Sequence, residues 1–168
     1  MNLDQKLTSC GIRPLRNQYL SLSSSQIQAL EKHVGIFPDE YRQLLSKYGG
    51  AVFDKEVMFA PIDPRFSKIS RTGWVTIDFI YGDIENNDPW DSNSLQANVE
   101  WMKGRMPDTM IPIAATGEDH ICLCLRGPDR YALFYWDRDE EPTVNNNNIY
   151  RIADSFADFL SGLRCEET

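Results

Sequence analysis

The sequence predicts an α+β domain: an N-terminal helical hairpin, a largely antiparallel central sheet, and a C-terminal helix packed on that sheet. Three observations point to it. Two early segments place apolar side chains at helical spacing, and each ends in glycine. The middle of the chain switches to short apolar or alternating runs separated by turn residues, in meander order rather than strand–helix–strand order. A last amphipathic stretch returns to helical spacing. Helices first, strands next and a helix last is the order of an α+β fold.

The first helix is read in "SLSSSQIQALEKHVG", where serines cap the start, Ile27, Leu30 and Val34 form the apolar stripe, and Gly35 stops it. "FPDEYRQLLSKYGG" follows at once. Pro38 suits a first helical turn, Asp39 and Glu40 favour the positive N-terminal end, and Tyr41, Leu44, Leu45 and Tyr48 make one face. "AVFDKEVMFAPI" reads as one or two short strands. "WVTIDFIYG" reads as a single alternating strand with Val75, Ile77, Phe79 and Tyr81 on one face. The polar loop "DIENNDPWDSNSLQ" runs into a short helix whose Leu95, Val99 and Met102 point to the core. "MIPIAA", "HICLCL" and "YALFYWD" are three meander strands joined by the turns "TGED" and "RGPDR". "PTVNNNNIYRI" is a loop with a short strand, and "ADSFADFLSGLR" closes as a helix burying Phe156, Phe159, Leu160 and Leu163. Residues 1–23 read as an N-terminal extension, and residues 24–168 as one domain.

A chain of 168 residues that is 42% hydrophobic and 25% charged can bury a real core. No apolar run approaches the ~20 residues that span a membrane. The N-terminus lacks the apolar segment and cleavage site of a signal peptide. A cytoplasmic location is expected. The net charge of −8 is unevenly spread. Residues 1–76 hold ten Lys or Arg against seven Asp or Glu, a net +3, and residues 77–168 hold seven against eighteen, a net −11. Phosphate recognition needs a basic face, so this balance argues against direct nucleic-acid binding. It fits simple solubility or a basic protein partner.

"GEDHICLCL" carries the vocabulary of metal and thiol chemistry, yet its spacing opposes both. Successive same-face strand positions lie ~6.6 Å apart, whereas zinc ligands at ~2.0–2.3 Å from the metal must nearly touch one another. Cys122 is likewise out of direct reach of His120 as a general base. Ile121, Leu123 and Leu125 make the opposite face apolar too, so the stretch reads as a central strand buried on both sides, with cysteine as a small hydrophobe. The four cysteines, at 10, 122, 124 and 165, show no framework spacing, and reduced, buried thiols are expected. In "DIENNDPWD" the alternating Asp83, Glu85 and Asn87 lack the glycine and glutamate that a calcium loop requires. Phosphate loops, dinucleotide fingerprints and nucleophile elbows are absent from the sequence. No enzyme activity, metal or cofactor is expected.

What remains is recognition. Trp90 flanked by Asp88 and Asp91 has the composition of an anchor for a basic partner. Asp137, Asp139, Glu140 and Glu141 crowd one strand end, and the meander brings the start of "GEDHICLCL" toward them if the register allows. The candidate partner surface is therefore Asp83, Glu85, Asp88, Trp90 and Asp91 on the loop, with Glu118, Asp119, Asp137, Asp139, Glu140 and Glu141 on the edge.

Three blocks together resemble a known family. "IQALEKHVGIFPDEYRQLLSKYGGAVF", "MIPIAATGEDHICLCLRGPDRYALFYWDRDEEP" and "NIYRIADSFADFLSGL" resemble, in order and spacing, the SUKH superfamily. The resemblance covers approximately residues 24–164. It implies an α+β fold and a non-enzymatic, protein-binding role without shared catalytic residues. Bacterial members are immunity proteins that neutralise toxins of polymorphic or contact-dependent systems, many of them nucleases; fungal and animal relatives are regulators or adaptors. The resemblance thus implies a cognate protein toxin with a basic surface as partner, or, as the alternative, another cellular protein bound by a regulatory scaffold.

Overall fold

The computed structural model describes residues 1–140 and 147–167. It is α+β. The helices are α1 (Leu3–Ser9), α2 (Ser24–Val34), α3 (Asp39–Tyr48), α4 (Leu95–Trp101) and α5 (Phe156–Gly162). The strands are β1 (Ile12–Pro14), β2 (Ala51–Phe53), β3 (Glu56–Phe59), β4 (Val75–Thr76), β5 (Phe79–Ile80), β6 (Met110–Thr116), β7 (Asp119–Cys124), β8 (Leu133–Trp136), β9 (Ile149–Ala153) and β10 (Arg164–Glu166). Seven strands form an antiparallel sheet in the order β1-β2-β5-β6-β7-β8-β9, and β10-β3-β4 form a second, smaller one.

The hairpin of α2 and α3 forms as its sequence demands. Ser23 caps α2 in a reciprocal box with Gln26, Gly35 ends it at φ 118°, and Pro38 stands immediately before α3. A polar clamp secures the bend. The buried Glu31 carboxylate accepts the Phe37 backbone N–H at 2.8 Å and the Arg42 guanidinium at 2.7 Å, so both of its charged-state partners come from across the turn. Ring contacts, edge-on except for the tilted Tyr41–Phe156 pair, then run from Phe37 to Tyr41, and on through Phe156 and Phe159 to Phe59. That chain of rings joins α3, α5 and β3 into one core.

The chain around Gly49, Gly50 and Gly82 needs glycine for a different reason. A Cβ at Gly82 would run into the Gly50 nitrogen and the Leu20 carbonyl oxygen, and one at Gly49 would meet that same carbonyl. The turn after α3 and the end of β5 thus cross backbone to backbone.

The expected single strand "WVTIDFIYG" is two strands in two sheets. Val75–Thr76 pairs with β3, and Phe79–Ile80 pairs with β2 and β6. The hand-over takes two residues: the Ile77 N–H donates to Val57 O at 2.8 Å, and the Asp78 N–H to Ala115 O at 2.9 Å. Ile77 and Tyr81 are buried as expected, Val75 and Phe79 only partly, and Ile80 of the other face is buried too.

Residues 1–23, to which no element was assigned from sequence, supply α1 and β1. Leu3, Leu7, Cys10 and Leu22 lie in the main core, and β1 forms one edge of the large sheet. The expectation of four reduced thiols is corrected here. Cys10, at the end of α1, and Cys165, in β10, form a disulfide with Cα atoms 5.1 Å apart, while Cys122 and Cys124 are free and buried. Packing of α1 against α5 brings together two residues 155 positions apart, which linear spacing does not reveal. A crosslink closing so long a loop stabilises chiefly by restricting the unfolded chain. Replacing both cysteines by serine is expected to cost about 2–4 kcal/mol in urea unfolding; an unchanged midpoint in non-reducing buffer would show that the bond contributes nothing.

Candidate functional site

Strand β7 is central and buried on both faces. Ile121 and Leu123 join the core under the helices, whereas Cys122 and Cys124 join a second cluster with Met102, Met106, Phe134 and Trp136. His120 presents Nδ1 to the Tyr81 hydroxyl at 2.7 Å and stacks at a tilt on Trp136, 5.5 Å between ring centres. The Cys122 thiol lies 4.0 Å from the Met106 sulfur, and the Cys124 thiol donates to Arg126 O at 3.2 Å. Complete burial drives the Cys122 thiol far above its ordinary pKa, the opposite of what a nucleophile or metal ligand requires. Among the described residues, no group of three His, Cys, Asp or Glu is placed to hold a metal ion.

The chemistry of "GEDHICLCL" therefore lies at its polar start. Pairing of His120 with Trp136 sets the register and brings Asp119 beside Asp137. These acids are largely structural. Asp119 accepts the Tyr135 hydroxyl and, at 2.8 Å, the Arg138 backbone N–H. Burial and this carboxylate together hold the Tyr135 phenol well above its usual pKa. Asp137 is buried and accepts the Asp139 N–H at 2.9 Å. Exposed Glu118 pairs with Arg138 at 2.6 Å. Asp139 is exposed, Glu140 ends a short 3-10 turn, and Glu141 lies outside the described residues. Two participants were not foreseen. Asp78 accepts the Gly117 N–H at 2.5 Å, and Arg138 offsets charge at the centre of the edge. Asp78 left a trace in the sequence as the one carboxylate in the run "WVTIDFIYG".

The loop after β5 is a separate construction. Asp83 accepts from the Gln26 side chain at 3.0 Å, and Glu85 pairs with Arg16 at 2.5 Å. Asp91 is buried and accepts the N–H groups of Glu85 and Asn93, each at 2.9 Å, so it shapes the loop rather than facing a partner. Asp88 accepts the Trp90 N–H at 2.9 Å and stays exposed; the Trp90 side chain stands out, 75% accessible. The two acidic groups do not merge. Along β5, Phe79 faces Ala115 and Ile80 faces Ala114, and the Tyr81 N–H reaches Ile113 O, so the chain travels toward the Met110 end of β6. Glu118 and Asp119 sit at the other end, past Thr116. The loop and the edge leave the sheet at opposite ends of its strands.

This division of labour separates the acids experimentally. Asp119→Ala is expected to cost about 1–3 kcal/mol in stability, whereas Asp139→Ala stays within about 0.5 kcal/mol of the parent. Thiol reagents are expected to label Cys122 and Cys124 only after unfolding; fast labelling of the native protein would contradict their burial.

No curated protein sequence matches the chain significantly. A family model does, that of the SMI1 / KNR4 family (SUKH-1), over residues 21–162. The match begins just before the α2–α3 hairpin, takes in every strand from β2 to β9, including the whole β6–β9 meander, and ends with α5; β1 and β10 lie outside it. The chain belongs to the SMI1 / KNR4 (SUKH-1) family.

Proposed function

We propose that this chain is a non-enzymatic immunity protein that binds and neutralises a cognate protein toxin with a basic surface. The observation that carries the reading is SUKH-1 membership across nearly the whole chain, since that family supports a protein-binding, immunity-like role. The partner's chemistry follows from charge. The net −11 of residues 77–168 steers a basic protein toward this half and repels nucleic acid. A nuclease toxin, basic where it holds its substrate, is the fitting target. Trp90 supplies what charge alone does not, an exposed aromatic surface able to anchor a complex. No helix among the described residues is long and apolar enough to cross a membrane, and a cytoplasmic site of action, where the Cys10–Cys165 pair would be held as thiols, completes the reading.

Co-expression with the protein encoded beside it tests the proposal: the pair is expected to co-purify and the toxicity to disappear. Asp88→Lys with Trp90→Ala is expected to weaken the complex at least about tenfold, approximately 1.4 kcal/mol, without changing thermal stability. Asp139→Lys tests the opposite end in the same way. Asp91 is left intact because its loss would collapse the loop. Unaltered affinity at low salt would remove the corresponding surface from the interface. Recovery of a housekeeping protein in place of a toxin would favour a regulatory scaffold.

A further inference from the structure

A groove of about 230 Å³ lies between the chain that follows β3, the end of β9, and α5. Its floor is apolar, built from Phe59, Ile152 and Phe159, all buried beneath the surface. One wall is Ile62, whose side chain is 56% accessible. That wall is fixed in place. The Ile62 and Asp63 N–H groups donate to Ile152 O and Arg151 O at 3.3 and 3.1 Å, continuing the sheet edge past β9. Asp63 in turn holds Arg65, which reaches back to Ile149 O at 2.6 Å.

The rim is acidic. Asp154 is committed to Arg151 at 2.7 Å, and Arg151 also engages Asp129. The Asp158 carboxylate is exposed and, among the described residues, has no side-chain partner. Gly162 opens the other side, and a Cβ there would meet nothing within 4 Å. Small-molecule sites occupy about 300–1,000 Å³, so this groove is the size of one long side chain rather than of a metabolite. An apolar trough ending at a free carboxylate matches an amphipathic cation. The methylene stem lies along the floor and the charged head meets the acid.

We propose that this groove receives a single arginine or lysine side chain from a basic protein partner, with Phe59, Ile152 and Phe159 holding its stem and Asp158 its charge. The inference rests on the reading of the domain as a binder of basic proteins, and adds to it a specific socket outside both acidic groups already described. The socket lies at the Leu123 end of the sheet, because Ala153 pairs with Leu133 and Leu133 with Leu123.

The test is an NMR titration of the isotope-labelled full chain with a capped pentapeptide bearing one arginine between leucines. Shift changes are expected to centre on Ile62, Ile152, Phe159 and Gly162, and the norleucine analogue is expected to bind about threefold or more weakly. Gly162→Leu fills the open side and should abolish the changes at the floor while leaving the melting temperature unaltered. Asp158→Asn, a surface change, should weaken the arginine peptide about threefold and leave the norleucine peptide alone. Shifts centred on the loop 83–91 or on Glu118 would overturn the proposal, as would groove shifts that survive Gly162→Leu. Either result leaves the toxin co-purification standing, and a chain that protects against no toxin leaves this titration unchanged.

Discussion

Strand β7 has no wet side, and the rest of the domain is arranged to keep it so. A strand apolar on both faces must have a layer on each. On the Ile121–Leu123 face that layer is the packed set of α1, α2, α3 and α5. On the Cys122–Cys124 face it is thinner, made by Met102 and Met106 in the segment that follows α4 with Trp136 and Phe134 of β8. Cysteine suits the thin side. It fills space between two methionines and an indole without the bulk that would push α4 away. The same burial that makes these cysteines good packing material makes them poor reagents.

Recognition on such a frame is left to what projects beyond the strands. The acidic residues sort themselves by what they already hold. Glu31, Asp91, Asp119 and Asp137 spend their charge on backbone N–H groups or on a neighbouring side chain, and give the loops their shapes. Asp88, Asp139 and Asp158 are among those that face water. An acidic surface of this kind is therefore not one uniform field. It is a few outward carboxylates mounted on a scaffold made by inward ones.

The helices were legible because their signals are local: Ser23 and Gln26 close a box, Gly35 and Gly49 mark ends, and apolar spacing marks the buried face. The meander was legible because its turns are short. What failed was whatever distant parts of the chain decide. "WVTIDFIYG" alternates like one strand, but Val57 and Ala115 compete for its two halves and divide it between sheets. The same applies to the acidic edge. Sequence brought Glu118 and Asp119 near Asp137 only conditionally, and the β7–β8 register supplied the condition. Helix α1 was missed although its box of Asn2 and Gln5 and its Leu3–Leu7 spacing were present. At seven residues its stability comes from docking on the core, not from its own turns. The acid-rimmed groove had no sequence signal at all, because its floor is drawn from β3, β9 and α5.

The Cys10–Cys165 bond makes the domain mechanically closed. A pull applied outside the two cysteines, as by a translocation motor or an unfolding protease gripping the chain, passes from Cys10 to Cys165 through sulfur and bypasses everything between them. Of the paired strand residues only Glu166, opposite Glu56, lies outside the bond, so the rest of both sheets bears no load. With the thiols reduced, the same pull acts first on the edge strands β1 and β10, the shortest attachments near the ends. Whether the domain can be threaded through a narrow pore is thus set by the redox state of one pair of cysteines.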